Sequence, residues 1–245
     1  MMISIKPEKI ANFLLSLCLF LGGFSFLIQI IKYSLGYDYI FGIVPLFDVD
    51  QEANIPTWFT SILLLLAAII LGVVTLRKYY SRDRYKLHWL ILSFIFLYLS
   101  LDEVAGVHEK ANFILNAKIT FVNSDPFNLF LLIILAIFYG KFMLHLPKQT
   151  LIQFIGAASL FITGALLIEF INVNFFPSIY WQHSLLNSLI VTIEELLEMF
   201  GAVLFIYSLI FYLGQKRHKL RLEFVTTETI TEYWKNKYLK SNSNQ

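Results

Sequence analysis

Residues 183–214 read HSLLNSLIVTIEELLEMFGAVLFIYSLIFYLG. From Met199 to Gly214 the polar side chains are only Tyr207, Ser208 and Tyr212. That composition suits a helix in hydrocarbon, and the run exceeds the roughly 20 apolar residues needed to cross a bilayer core. Yet Glu194, Glu195 and Glu198 stand inside it. A carboxylate in hydrocarbon is expensive, so such residues mark a functional site by default.

Comparable apolar runs lie at about residues 10–35, 57–79, 87–109, 127–146 and 151–173, each near the length of a membrane span. The reading is all-α: an integral membrane bundle of six transmembrane helices. Composition agrees, with 58% hydrophobic and 15% charged residues and a mean hydropathy of +0.68; a soluble domain carries about 25% charged residues. Prolines punctuate the limits. Pro56 precedes the second run, Pro126 follows the capping Asp125, Pro147 closes the fourth and Pro177 precedes the sixth. The first run is too long for the core of a cleavable signal peptide and is read as a retained helix. The single cysteine, Cys18, excludes an intrachain disulfide and reads as a small hydrophobe. Residues 1–214 form the six-helix transmembrane domain, and 215–245 form a basic tail whose Ser/Asn-rich end is expected to be disordered.

Charge sets the expected orientation. One side of the membrane receives Lys6, Lys9, Arg77, Lys78, Arg82, Arg84, Lys86, Lys141, Lys148, Lys216, Arg217, Lys219 and Arg221. The other receives mainly Asp38, Asp48, Asp50, Glu52 and Asp125, with Lys110 and Lys118. The positive-inside rule puts both termini in the cytoplasm, with the chain multi-pass in the cell inner (cytoplasmic) membrane.

The remaining acids gather at a common expected depth. Climbing about 1.5 Å per residue from the cytoplasmic ends puts Asp102 and Glu198 both near 22 Å, Glu169 near 27 Å, Glu194 near 28 Å and Glu109 near 33 Å. Asp102 and Glu109, seven apart, share a helical face, with Ala105 and Gly106 between them. His183, Asn187, Glu194 and Glu198 form a second stripe, and Glu195 neighbours Glu198 at i, i+3. Gly106 and Gly201 sit beside these faces, where small residues allow close helix approach. The loop carrying Asp48, Asp50 and Glu52 lies on the same side. It lacks the glycine of a calcium loop and reads as a solvated acidic segment.

Like charges a few ångströms apart repel by several kcal/mol even at an effective dielectric near 20. The carboxyls therefore need protons, a water-filled vestibule or a divalent cation. The leading expectation is a metal centre with Asp102, His108, Glu109, Glu194 and Glu198 as ligands, and Glu103, Glu195 and Glu169 as catalytic or proton-shuttling groups. The ion is a divalent metal such as Fe, Mn, Mg, Ca or Zn, whose identity the donor set leaves open. His88 and His145 read as surface residues at the cytoplasmic boundary, and Trp89 as part of an inner aromatic belt.

The segments Ala53-Asn-Ile-Pro-Thr-Trp-Phe, Leu101-Asp-Glu-x-x-x-x-His-Glu109 and Glu194-Glu-x-x-Glu-Met-x-Gly201 resemble a family of uncharacterised bacterial six-helix multipass membrane proteins. The resemblance covers about residues 10–214 and implies an architecture, with the three segments acting as one unit; it implies no established activity.

Three functions follow as expectations. The first is a metal-dependent enzyme acting on a lipid or other hydrophobic substrate. The second is a cation- or proton-coupled transporter or channel. The third is a non-catalytic subunit bound to a membrane-protein partner. The nearly pure hydrocarbon below Asp102 and Glu198 favours a one-sided pocket over a conduit. There is no Walker loop, nucleophile elbow or H-E-x-x-H helix, and nothing points to nucleic acid.

Overall fold

The computed structural model describes residues 6–36, 39, 42–49, 54–106, 125–168, 170–172 and 184–215, with backbone only for 125–132. All regular structure among them is helical. The order is α1 (Pro7–Leu35), a short α2 (Ile43–Phe47), α3 (Ile55–Tyr80), α4 (Lys86–Ala105), α5 (Asp125–Leu144), α6 (Lys148–Ile162) running into a π-helical segment (Thr163–Ile168), and α7 (Leu185–Gln215). Contacts cluster into two units, Met1–Leu213 and Gly214–Gln245. The tail beyond Gln215 lies outside the described residues.

Among the described residues, five helices are long and apolar enough to cross a membrane: Pro7–Leu35, Ile55–Tyr80, Lys86–Ala105, Lys148–Asn172 and Leu185–Gln215. Between the third and fourth of these lies α5, apolar over Ile133–Leu144.

Local chemistry sets the ends. Pro7 occupies the first turn of α1, where its missing N–H is no loss. The Asn54 side chain accepts from Thr57 N at 2.8 Å and caps α3, followed by Pro56. Ser184 Oγ accepts from Asn187 N at 3.2 Å ahead of α7. The end of α4 corrects an expectation. The helix stops at Ala105, where Gly106 takes a left-handed conformation (φ 54°) and donates to Asp102 O at 2.8 Å. Gly106 is therefore a C-cap. The helix that carries Asp102 thus ends at Ala105, and Glu109, expected on the same helical face, lies outside the described residues.

α3 and α7 form the centre. Leu63, Leu64, Ala67 and Leu71 of α3 and Met199, Val203, Ile206 and Leu209 of α7 are fully buried in one cluster, together with Cys18 of α1. The α3–α4 pair is fastened by reciprocal hydroxyl bonds. Ser61 Oγ donates to Ser100 O at 2.7 Å, and Ser100 Oγ donates to Ser61 O at 2.9 Å. In hydrocarbon such bonds are worth about 1 kcal/mol each. The S61A/S100A double variant is expected to lose about 1–2 kcal/mol, read by thermal unfolding in detergent; an unchanged midpoint would show that packing alone sets this pair.

The turn between α3 and α4 carries Asp83, which bonds Lys78 Nζ at 2.5 Å and accepts from Tyr85 N at 2.8 Å. Burial pushes the Asp83 carboxyl up, but the Lys78 and Tyr85 hydrogen bonds outweigh it and hold it below the usual carboxylate value. Arg77 Nη1 donates to Leu213 O at 2.9 Å and ties this end to α7. Two boundary expectations change here. Trp89 is 1% exposed and stacks on Tyr212 at 5.2 Å, so it belongs to the core and not to an interfacial belt. His88 is half-buried, its ring 4.7 Å from that of Phe138. A flat ring with neighbouring aromatic faces gains more by packing than by exposure. His145 is exposed, as expected.

Candidate functional site

Two aromatic pairs fix the register of the antiparallel helices α4 and α7. Trp89 stacks on Tyr212, and further along Phe96 stacks on Phe205 at 4.6 Å. From the second pair the chain climbs six residues to Asp102 and seven back to Glu198. At 1.5 Å per residue these are rises of about 9 and 10.5 Å. Asp102 and Glu198 therefore arrive at one height.

α7 meets the end of α6 almost backbone to backbone. A Cβ at Gly201 would lie 2.8 Å from Phe161 N and 2.9 Å from Ala157 O. One turn further, a Cβ at Gly164 would lie 2.7 Å from Glu194 O and 2.9 Å from Glu198 Cγ. Glycine on each helix is what permits this approach. Gly164 lies in the π-helical segment, a distortion that recurs at functional sites. Beyond it Asn172 Nδ2 donates to Asn187 Oδ1 at 2.8 Å and closes the α6–α7 seam.

Glu194, Glu195 and Glu198 are half-buried on α7. The spacing Glu194–Glu198 is i, i+4, where like charges repel by about 0.2–0.5 kcal/mol even in water. Asp102 and Glu103 are half-buried in the last turn of α4. The helix dipole opposes an anion there, by about 0.3–1 kcal/mol each at an exposed site. Like-charge repulsion on α7 and the helix dipole at the end of α4 thus disfavour carboxylates here. Glu109, His108, Glu169 and His183 lie outside the described residues. Among the described residues, no group of three or more His, Cys, Asp or Glu is placed to hold a metal ion.

Directly below the α6–α7 crossing lies an apolar pocket of about 220 Å³, walled by α4, α5, α6 and α7. Phe96, Phe161, Gly201 and Phe205 line it, so the residues that set helix register and close approach are also its walls.

A second polar centre was not anticipated in the sequence. Asp48, expected in a solvated loop, is 0% exposed. Its carboxylate pairs with Lys32 Nζ at 3.1 Å and accepts from Gln29 Nε2, while its carbonyl accepts from Asn54 Nδ2 at 2.6 Å. Val49 N donates to Ser25 Oγ at 3.4 Å beside it. The physical reason is helix spacing. Ser25, Gln29 and Lys32 recur at i, i+4 and i+7 on α1, which makes one polar stripe able to receive a buried carboxylate. That stripe, in an otherwise apolar run, was the available signal. Asp50 and Glu52 lie outside the described residues.

Among the described residues the fold is all-helical, with membrane-length apolar helices and a carboxylate-bearing seam. The chain belongs to the family described as Domain of unknown function (DUF8692), whose model matches residues 10–213. No curated protein and no solved structure matches it.

Proposed function

We propose that this chain is a six-helix integral membrane protein with both termini in the cytoplasm, and an enzyme acting on a lipid or other hydrophobic substrate. The orientation rests on the asymmetry of Lys and Arg between the two sets of loops. The activity rests on one observation: the Gly164–Glu198 approach lies one turn from the Gly201–Phe161 approach that walls an apolar pocket. Carboxylates and an apolar binding surface share one helix crossing, which supports a site that holds an apolar group and works on its polar end.

In this reading Glu198 and Asp102 exchange protons with the substrate or hold a divalent cation that polarises it. Glu194, Glu195 and Glu103 hydrogen-bond and tune them. A cation is the natural counter-charge for this many acids, with His108 and Glu109 as further ligand candidates and Glu169 as a further proton-shuttling group. A conduit is less well supported, because the surface below the carboxylates is apolar.

The test is conversion of phosphatidylethanolamine/phosphatidylglycerol vesicles by the purified protein, followed by mass spectrometry of the lipids with Mn²⁺, Fe²⁺, Mg²⁺, Ca²⁺ or Zn²⁺ supplied in turn. Glu198→Gln and Asp102→Asn are each expected to lower turnover by about 10²–10⁴-fold, the usual contribution of a positioned acid or base, with the melting temperature kept. Elemental analysis reads the metal in the same samples. No conversion under any condition overturns the enzyme reading, and full turnover in both variants overturns the roles given to Glu198 and Asp102; cation or proton flux in proteoliposomes would put transport in place of the enzyme.

A further inference from the structure

We propose that the pocket between α4, α5, α6 and α7 is an acyl-chain site, entered sideways from the bilayer beside Ala158. The proposal deepens the reading above by naming the substrate class, and its test reads binding, not turnover.

The lining decides the chemistry. Tyr139 is the one polar side chain in it, and its hydroxyl donates to His88 O at 3.1 Å, which leaves nothing polar to recognise a headgroup. An apolar cavity of about 150 Å³ stays dry and takes up apolar guests; this one is about 220 Å³. Position decides the source. Three of its walls, α4, α6 and α7, belong to helices of membrane-spanning length and apolarity, and the fourth, α5, is apolar over Ile133–Leu144; the abundant apolar guest there is lipid hydrocarbon.

The shape supplies an entrance and an end. On α6 the run Gly156-Ala157-Ala158-Ser159 is all small. Ala157 is buried against Gly201, whereas Ala158 lines the pocket and is exposed. With the larger Phe154 and Ile162 one turn away on either side, this small exposed residue leaves a gap through which a chain can slide. At the other end Phe142 and Phe154 are buried, and Trp89 lies behind both, with ring centroids 4.9 and 6.1 Å away. Along α6, from Phe154 to Ile162, the site is about 12 Å long at 1.5 Å per residue. Glu198 stands one turn past Gly201, so a chain seated with its end at Phe142 and Phe154 carries its polar end toward the carboxylates.

Trp89 is a built-in reporter, since it is 1% exposed and so shielded from the surrounding lipid. The experiment uses the full chain with Trp58, Trp181 and Trp234 changed to Phe, in vesicles of phosphatidylcholine brominated on the acyl chain. Bromine is expected to quench Trp89 emission at least twofold more in this protein than in the same protein carrying Ala158→Phe, which plugs the entrance while leaving the surrounding lipid in place. Ala158→Leu serves as a second plug if the Phe variant does not fold. Mass spectrometry after detergent exchange is expected to find retained lipid in the parent and loss in the plugged form. Equal quenching and equal retention in open and plugged proteins would overturn the proposal. That outcome leaves the carboxylate chemistry standing, just as inert lipid conversion would leave this site standing.

Discussion

Lys32→Ala is expected to destabilise the protein by about 3–5 kcal/mol, the usual cost of leaving one member of a buried ion pair without its partner. Asp48 is 0% exposed, and the Lys32 side chain is 16% exposed, so water can do little to replace the ammonium. Gln29 still donates to the carboxylate in the variant, but a neutral amide does not balance a full charge. Thermal or denaturant unfolding in detergent micelles measures the loss. The control is K32M/D48N. It removes both charges and keeps an amide oxygen for Gln29, and it is expected to recover most of the stability, because a neutral replacement carries no desolvation penalty. If K32A melts like the parent, the pair is not what joins α1 to the entry of α3.

The second large effect is expected at the glycines of the α6–α7 seam. Gly201→Ala places a methyl 2.8 Å from Phe161 N and 2.9 Å from Ala157 O. Both are backbone atoms, so the helices themselves must move apart. Overpacking of this kind costs about 1–3 kcal/mol, occasionally more, against a gain of about 1 kcal/mol in helix propensity from replacing glycine. A net loss of about 1 kcal/mol, rising to about 2 where the backbones cannot shift, is expected, together with a change in the pocket that Gly201 lines. Gly164→Ala meets Glu194 O and Glu198 Cγ, so it is expected to displace Glu198 and lower any Glu198-dependent activity as well as stability. Gly22→Ala meets only the Leu196 side chain, which can rotate, and is expected to cost less. Gly23→Ala meets nothing within 4 Å and is expected to be neutral or slightly stabilising. A melting series that ranks the four differently would show that the seam is looser than its backbone distances imply.

Much of the helix pattern could be read directly. A run of apolar residues has no polar side chain to pair outside itself, and only a helix satisfies its backbone in hydrocarbon. α1, α3 and α7 accordingly begin and end near their expected limits. The third run was read four residues too long, because Gly106 is a legitimate helix residue in a sequence and becomes a terminator only when its φ turns positive. Trp89 was read at an interface because tryptophan favours that level; stacking on Tyr212, a partner from a remote part of the chain, overrode the preference.

The candidate site divides the same way. Glu194, Glu195, Glu198, Asp102 and Glu103 were visible, since a charge among apolar residues stands out one residue at a time. The Asp48–Lys32 pair was not, because a lone acid in a polar loop looks solvated until a distant helix brings a cation to it. The pocket had no signature at all, as apolar residues around a void and apolar residues filling one have the same composition.

By itself the chain determined its class: membrane-length helices, the positions of the acids within the apolar runs and the sign of the loop charges, all of which follow from transfer free energies that each residue carries wherever it sits. The tertiary structure decided which helices touch. Aromatic stacking set Asp102 level with Glu198, paired glycines pressed α6 onto α7, and the gap left between the large side chains below them became the pocket. Those outcomes depend on contact shape at sub-ångström fit between segments far apart in sequence, a property of pairs of surfaces and not of any single stretch.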